Sequence, residues 1–295
     1  MKIIFLFISI SLSIGSSQFA YSEQTVFDMH MHYKWSQKEV TSPEAAIQFL
    51  DEHDISHAVV IGKPAKLALS LKKLAPERII AFYSPYRESL GWFRWQHDKT
   101  VVTRAAEALK SGEYSGIGEL HIIGGFAPKQ KSKNVLDGLM KLSEAYDTPI
   151  MLHTEFSNPD FMLKICESYP KTRIIWAHAG AILKPTHIDT VMTQCKNVWS
   201  GMAARDPWRY VDNQHTDSEG KLLEDWKALF IKYPNRFMVG SDTVWPVEQL
   251  DAWDVADTGW QELGKFWDFH RSWLKQLPPE VAKKIMHTNA LHFFE

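Results

Sequence analysis

The segment TVFDMHMHY, residues 25–33, contains the pattern from which we predict the fold. Its first part, Thr25 to His30, contains β-branched and aromatic residues that favour a strand, and it predicts the first strand. The stretch SPEAAIQFLDEH that follows predicts a helix, because Ser42 can cap it, Pro43 suits its first turn and Glu44 suits its positive end. A strand followed by a helix is the repeating unit of α/β folds.

Seven further runs of the same kind alternate with amphipathic stretches of helical periodicity. They are HAVVIG from His57, RIIAFYS from Arg78, YSGIGEL from Tyr114, PIMLH from Pro149, RIIWAH from Arg173, NVWSGM from Asn197 and RFMVGS from Arg236. Apolar strands that are each followed by a helix are typical of parallel strands covered on both faces. Eight such units in about 270 residues match a (β/α)8 TIM barrel. A doubly wound open sheet usually has a glycine-rich loop after its first strand, and FDMHMHY contains no glycine, so we predict the barrel.

The C-terminal part of the chain departs from this alternation. The segment Val247 to Leu277 is rich in tryptophan and does not resemble a strand. We therefore expect an insertion after the eighth strand, packed near the barrel mouth, followed by a closing helix from Pro279 to Phe294. Since no repeat, low-complexity tract or polar linker indicates a second domain, residues 23–295 are predicted to form a single barrel domain.

The N-terminal segment MKIIFLFISISLSIGSSQFAYS has the composition of a secretory signal peptide. A lysine precedes a run of twelve residues, Ile3 to Ile14, that is apolar and interleaved with serine. A bilayer span needs about 20 apolar residues, and Ala20 and Ser22 suit a cleavage site. We predict that residues 1–22 are removed on export, which makes the protein secreted or periplasmic with no stable membrane insertion. A buried N-terminal helix is the alternative.

Composition excludes several classes of function. The 295 residues carry a formal charge of −2, from 33 basic and 35 acidic side chains, whereas binding to nucleic-acid phosphates requires a basic surface. We therefore expect a small-molecule substrate and no nucleic-acid partner. Two cysteines, Cys166 and Cys195, are too few for a disulfide-rich scaffold or a cysteine-ligated zinc module. Whether they pair depends on geometry, and assembly into a homo-oligomer is likewise left open.

Six ionisable residues stand at the C-terminal ends of five predicted strands, where a TIM barrel carries its chemistry. They are His30 and His32 on the first strand, Glu119 on the fourth, His153 on the fifth, His178 on the sixth and Asp242 on the eighth. One such histidine alone is more often a hydrogen-bonded core residue than a ligand. Burying all six without partners, however, would cost several kcal/mol per charge. Because imidazole and carboxylate suit zinc or a neighbouring transition metal, we predict one or two divalent ions, with zinc the expected metal.

The motifs FDMHMHY, GIGELH, PIMLHTE, IIWAHAG and VGSD occur in this order, and together they resemble the metal signature of the amidohydrolase superfamily of barrel enzymes. The closing KKIMHTNALHFF is similar to the last helix of its amidohydrolase-related branch. The resemblance extends from Val26 to the C-terminus. It implies metal ligands at all six strand-end positions: one ion on His30, His32 and Asp242, a second on His153 and His178, and Glu119 as the bridge.

The fourth strand distinguishes branches of this superfamily. Many binuclear members carry a carboxylated lysine there, and the glutamate of this chain resembles the TatD-like hydrolases instead. The alternative is a single ion, with Glu119 outside its ligand set and His178 acting on the substrate. Both arrangements lower the pKa of bound water from 15.7 towards roughly 7.

From these features we hypothesise that the activated water attacks a carbonyl or phosphoryl centre. Asp242 would accept the proton of the water and pass it to the leaving group, and in the one-ion alternative His178 would hydrogen-bond the developing oxyanion. Three residues are candidates for substrate binding. Arg205, after the seventh strand, suits a substrate carboxylate, Trp245 follows Asp242 at the rim, and His121 shares the inward parity of Glu119.

The predicted function is therefore that of a secreted metal-dependent hydrolase, which cleaves a C–O or C–N bond in an ester, a lactone or an amide. A metal-dependent decarboxylase is one alternative, because the amidohydrolase-related branch contains both types of enzyme. A non-catalytic metal- or ligand-binding protein is another, and the intact candidate base Asp242 disfavours it.

Overall fold

The computed structural model describes residues 25–87, 91–122, 130–154, 158–209, 212–245 and 255–295. Eight parallel strands pair in chain order, as predicted. They are β1 (Val26–Lys34), β2 (Ile55–Lys63), β3 (Ile79–Tyr83), β4 (Gly116–His121), β5 (Ile150–His153), β6 (Ile174–Trp176), β7 (Val198–Gly201) and β8 (Phe237–Met238). Backbone hydrogen bonds from Met29 to Val239 and from Asp242 to His30 connect the last strand to the first. The predicted TIM barrel is confirmed.

Each strand is followed by at least one helix. The helices are α1 (Trp35–Lys38), α2 (Pro43–Glu52), α3 (Lys66–Leu74), α4 (Gly91–Arg94), α5 (Val101–Lys110), α6 (Gln130–Ala145), α7 (Pro159–Ser168), α8 (Pro185–Gln194), α9 (Glu224–Lys232), α10 (Leu263–Leu274), α11 (Pro279–Lys283) and α12 (Asn289–Phe294). Helix α2 begins where the sequence predicts, because the hydroxyl of Ser42 accepts a hydrogen bond from the amide of Ala45 and Pro43 is the first helical residue.

The core has two layers, which follow from the alternation of side chains along each strand. One layer lies between the strands and the helices. The other fills the barrel interior and includes Phe27, Val59, Phe82 and Met238. The C-terminal helix α12 adds Ala290 and Phe293 to this interior cluster, so it closes the amino-terminal end of the barrel. Together with α11 and a π-helical turn, Lys284–Thr288, it spans the predicted closing helix from Pro279 to Phe294.

The tryptophan-rich segment after β8 contains more than an insertion. It includes α10, which is the eighth helix of the barrel, and its buried residues Leu263, Phe266, Trp267, His270 and Trp273 have helical spacing. The segment does pack near the mouth, because the indole nitrogen of Trp260 donates a 3.0 Å hydrogen bond to the carbonyl of His32. Residues 246–254 lie outside the described part of the chain.

The two cysteines form a disulfide, which settles the pairing that the sequence left open. Cys166 lies on α7 and Cys195 directly follows α8, with 5.8 Å between their α-carbons.

The predicted signal peptide, residues 1–22, lies outside the described residues. Within the residues that are described, none of the helices has the length and apolar character needed to span a membrane.

Candidate metal centre

Strand β1 supplies two histidines to the barrel mouth. The register between β1 and β2 shifts between Asp28 and Met31, which is the effect of a bulge. As a result Met31 packs under the helices while Met29 joins the interior cluster. Strict alternation of side chains therefore does not hold along β1, because a bulge interrupts it. His30 and His32 nevertheless share one side, since their Nε2 atoms are 3.2 Å apart.

The first group of candidate ligand atoms surrounds these two histidines. Asp242, which follows β8, places its Oδ1 3.2 Å from the Nε2 of His32 and 3.9 Å from that of His30. The Oε2 of Glu119 lies 3.5 Å from the Nε2 of His30 and 3.4 Å from that of His32. These four side chains from β1, β4 and the end of β8 converge on one point of the barrel mouth.

A second group lies on the other side of Glu119. Its Oε1 is 2.9 Å from the Nδ1 of His153 and 3.2 Å from the Nε2 of His178, and these two nitrogens are 3.2 Å apart. The two oxygens of one carboxylate thus face two different groups of ligand atoms. The structure brings together all six residues that the sequence singled out, with Glu119 in the middle, where a bridging ligand would stand.

The donor atoms fit divalent cations. Ring nitrogens that approach one another at 3.2 Å with their lone pairs repel unless a proton or a metal ion lies between them. The Nδ1 of His178 lies 2.8 Å from the carbonyl of Ala203, and donation to that carbonyl leaves Nε2 with its lone pair directed at the cluster. Among the described residues, three groups have ligand atoms that all lie within 4.8 Å of one another: His30, His32 and Asp242; His30, Glu119 and His178; and Glu119, His121 and His153.

The electrostatics of the cluster keep both carboxylates, Glu119 and Asp242, ionised. Burial lowers the pKa of His30. At His32 burial acts in the same direction, but hydrogen bonds to Asp242 and Glu119 outweigh it and raise the pKa of the ring. Burial acts to raise the pKa of Glu119, but the imidazoles of His30, His153 and His121 outweigh burial and hold that pKa well below its usual value. Two ionised carboxylates among four imidazoles form a pocket that attracts cations.

Buried groups behind the cluster hold the ligands in place. The carboxylate of Asp28 accepts hydrogen bonds from the amides of His30 and Ser241, 3.0 and 3.1 Å long, and burial raises its pKa to about 7. Arg209 donates to the carbonyls of Ser241 and Asp242 at 2.8 Å, and its guanidinium lies 3.4 Å from the Oδ2 of Asp242. These contacts fix the turn after β8 and so the direction of the Asp242 side chain.

Arg205 does not fit the role predicted for it. Its side chain is fully buried, and it donates hydrogen bonds to the backbone carbonyls of His178, Ala181 and Asn213. The guanidinium also lies 4.4 Å from the ring centroid of Trp226. Arg205 therefore braces the loops after β6 and β7, and the expectation that it pairs with a substrate carboxylate is corrected by these contacts.

The other two candidates for substrate binding lie at the mouth. His121 ends β4 beside Glu119, and its ring stacks on that of His153 with 4.5 Å between centroids. Its Nε2 is 3.9 Å from the Oε2 of Glu119, so it is placed for a metal as well as for a substrate. Trp245 is half-buried, and its ring centroid lies 4.2 Å from the Nζ of Lys265 on α10. Contact with a substrate stays a prediction for both.

Sequence reasoning missed two charged residues at the site. Lys63 is the last residue of β2, one position beyond the strand end that the sequence predicted at Gly62. The alternation of Val59 and Ile61, which lie in the barrel interior, was the signal that could have placed Lys63 at the mouth. For Arg209, no local pattern connects the residue to Asp242, because its partners are 32 and 33 positions away.

Comparisons with known proteins give a family and a fold. A family model described as amidohydrolase matches residues 27–295. Among curated proteins, a sequence search finds no match.

Several solved structures share the fold at low sequence identity. A TatD homologue from Escherichia coli is 13% identical, with a TM-score of 0.62, over 91% of this chain and 97% of that one. A mutant of a PTE-like lactonase from Deinococcus radiodurans is 14% identical, with a TM-score of 0.58, over 94% and 98% of the two chains. An amidohydrolase from Burkholderia multivorans with bound zinc is 12% identical, with a TM-score of 0.52, over 92% and 99%.

Proposed function

Because the chain belongs to the amidohydrolase family over residues 27–295, and is thereby a metal-dependent hydrolase, we propose that it cleaves a C–O or C–N bond of a small molecule at a zinc centre built from the six strand-end residues. An ester, a lactone or an amide would be the substrate.

The observation that carries the proposal is the position of Glu119. Its two carboxylate oxygens face two groups of nitrogens, one from β1 and one from β5 and β6, at 2.9 to 3.5 Å. This arrangement supports two ions bridged by one carboxylate. It favours hydrolysis over the decarboxylase alternative, because two ions can hold both the attacking and the leaving oxygen. A single ion remains the outcome that would favour decarboxylation.

Zinc at this centre would polarise the scissile bond and lower the pKa of a water molecule to about 7. Asp242 is placed to accept the proton of that water, because its Oδ1 faces the cluster 3.2 Å from His32. Arg209 lies near its Oδ2 and binds its carbonyl, which keeps the carboxylate directed inward. Asp242 then delivers the proton to the leaving group.

Two observations support particular details. A lactonase and a zinc-containing amidohydrolase are among the proteins that share this fold, so lactones are the first substrates to test and zinc is the first metal.

For the place of action, the disulfide between Cys166 and Cys195 suits an oxidising compartment. It supports our prediction that residues 1–22 direct export to the periplasm or beyond. Cell fractionation of the full chain, with and without residues 1–22, tests that prediction.

The central experiment is to purify the mature chain without an affinity metal, count ions per chain by mass spectrometry and assay an ester, lactone and amide panel before and after chelation. We expect two ions per chain, hydrolysis of at least one ester or lactone, and loss of that activity on chelation with recovery on addition of zinc. Release of CO₂ from a carboxylated substrate would instead support the decarboxylase. Tight ligand binding without any turnover would support a binding protein, and full activity without metal would overturn the proposal.

A further inference from the structure

His121 ends β4 at a position that suits two different roles. One of its ring nitrogens lies within 4.8 Å of ligand atoms of Glu119 and His153, which would suit a metal ligand. Its side chain is 22% exposed, however, whereas those of the six candidate ligands are 2% to 13% exposed. His121 is therefore at the open edge of the cluster, where a substrate would enter. The protonation of its ring decides between the two roles.

Neighbouring residues fix the position of His121. Its amide donates a 2.7 Å hydrogen bond to the hydroxyl of Tyr86, which follows β3. Its carbonyl accepts a 3.1 Å hydrogen bond from the indole nitrogen of Trp95. The ring of His121 stacks on that of His153, with an angle of 23° between the two ring planes. Both the backbone and the plane of the ring are thus held at the end of β4.

The hydroxyl of Tyr86 decides which ring nitrogen of His121 carries the proton. Besides accepting from the amide, this oxygen lies 2.9 Å from the Nδ1 of the same histidine. Tyr86 is buried, and burial raises the pKa of its hydroxyl well above the usual value, so the hydroxyl keeps its proton. A buried donor without an acceptor is costly, and within the described part of the chain Nδ1 is the acceptor that this hydroxyl reaches. Tyr86 therefore donates to Nδ1.

This hydrogen bond determines what the other ring nitrogen does. A neutral imidazole whose Nδ1 accepts a hydrogen bond carries its proton on Nε2. The Nε2 of His121 faces the metal centre, 3.9 Å from the Oε2 of Glu119. A ring nitrogen that carries a proton donates a hydrogen bond, and it has no lone pair in the ring plane for a metal ion.

We propose that Tyr86 is a positioning residue that fixes His121 in the Nε2–H form, and that His121 is thereby a hydrogen-bond donor to the substrate and not a metal ligand. This inference rests on the proposed function, because it assumes that hydrolysis takes place at the cluster. With two ions bound, His178 is a ligand and its Nε2 cannot donate. His121 supplies the donor, and its N–H stabilises the substrate oxygen that gains negative charge when the scissile bond is attacked.

Nuclear magnetic resonance can observe the protonated nitrogen directly. The probe is the zinc-loaded protein with nitrogen-15 in its histidine rings, because two-bond proton–nitrogen correlations distinguish the Nε2–H form from the Nδ1–H form. The signals of His121 are those that disappear in His121→Phe. We expect the Nε2–H form in the wild type. In Tyr86→Phe, which keeps the ring and lacks the hydroxyl, we expect a mixture of the two forms.

Ion counts and kinetics of His121 variants test the donor role. Since a protonated Nε2 does not bind metal, His121→Phe should hold as many ions per chain as the wild type. Its kcat should fall about 100- to 1000-fold, the range for loss of one donor to a developing oxyanion, while KM stays within about threefold. His121→Gln should recover part of this loss, because its amide can donate from nearly the same place.

Tyr86→Phe should have a smaller effect on kinetics. Its kcat should fall about two- to tenfold, in proportion to the fraction of His121 that loses the Nε2 proton, and its ion count should not change. The matched control is Tyr114→Phe, which removes the hydroxyl of a half-buried tyrosine just before β4, at the other end of the strand. This control should leave both the Nε2–H form and kcat unchanged.

Several results would overturn the inference. They are the Nδ1–H form in the wild type, the Nε2–H form intact in Tyr86→Phe, and an unchanged kcat in His121→Phe. Loss of one ion per chain in both His121→Phe and His121→Gln, each folded by circular dichroism, would instead make His121 a metal ligand. Failure of the proposed function is distinguishable. If no substrate of the panel is hydrolysed, the resonance spectra and the ion counts still decide the state of His121, whereas hydrolysis together with the Nδ1–H form contradicts this inference alone.

Discussion

The two ends of the barrel are built from the same strands but carry opposite chemistry. At the amino-terminal end, the interior cluster that includes Phe27 and Phe82 packs against Phe293 of α12. At the carboxyl-terminal end, each of four imidazoles and two carboxylates lies within 3.2 Å of at least one other member of the cluster. Burial of apolar side chains at the amino-terminal end stabilises the barrel. That stability offsets the free-energy cost of holding charged groups close together at the carboxyl-terminal end. Stability and function should therefore respond separately to changes at the two ends.

Two residues of the polar cluster also have an unusual backbone conformation. His178 and Asp242 have φ angles of 55° and 47°, in the left-handed region that non-glycine residues seldom adopt. Both follow strands at the polar end, β6 and β8. Such conformations cost of order 1–3 kcal/mol each and persist when surrounding contacts fix them. At Asp242 those contacts include the hydrogen bonds from Arg209.

The largest effect is expected from Asp242→Asn at the polar end. The amide cannot accept the proton of the water, so kcat should fall about 100- to 10,000-fold while the variant stays folded. Kinetics with the substrate found in the panel, together with metal analysis, provide the measurement. The exposed Asp268 of α10 gives the matched control Asp268→Asn, which should retain full activity. Full turnover by Asp242→Asn with metal bound would show that the proton role belongs to another group.

Glu119→Gln tests whether one carboxylate serves two ions. The amide lacks the negative charge that both groups of nitrogens share, so the ion count should fall from two to one. Activity should then fall about 100-fold or more, since each ion contributes several kcal/mol of transition-state stabilisation. The control is Glu113→Gln, an exposed carboxylate shortly before β4. Two ions and unchanged kcat in Glu119→Gln would contradict the bridging role.

Phe293→Ala probes the apolar end. Removing this buried ring should lower the free energy of unfolding by about 3–5 kcal/mol, because the closing helix loses its contact with the interior cluster. The kcat of the folded fraction should not change. Denaturant unfolding and kinetics on the same samples measure both quantities. The control is His292→Ala, at the exposed neighbouring position. Its free energy of unfolding should stay within about 0.5 kcal/mol of that of the wild type. A fall in kcat without loss of stability would show that the two ends are coupled.

The smallest effect is expected from the disulfide, which lies in the helical layer. It joins Cys166 and Cys195, which are 29 positions apart in the chain, and closing a loop of that length is worth about 3.6 kcal/mol in the unfolded-chain model. Reduction of the wild type should lower the melting temperature and leave kcat unaltered. The double variant Cys166→Ala/Cys195→Ala should melt at the temperature of the reduced wild type and not respond to the reductant. A reductant effect on the double variant would point to another cause.

Prediction from sequence succeeded where position along a strand decides position in space. Parallel strands in a barrel end at one edge, so residues far apart in the chain, such as His30 and Asp242, meet for topological reasons alone. Prediction failed in the loops, and two arginines of one loop show why. Arg205 was expected at the substrate and is buried among backbone carbonyls, whereas Arg209, which the sequence did not connect with the candidate ligands, contacts Asp242.

The amino-acid sequence by itself determined the eight strand–helix units, the barrel and the six residues at the strand ends, because alternation and strand order are local or topological properties. Only the tertiary structure decided the orientation of Glu119 between two groups of nitrogens, the disulfide, the burial of Arg205 and the place of Lys63 among Trp35, Tyr86 and Glu119. Those features depend on packing between segments that are distant in the chain, where small shifts of backbone change which partner a charged side chain reaches.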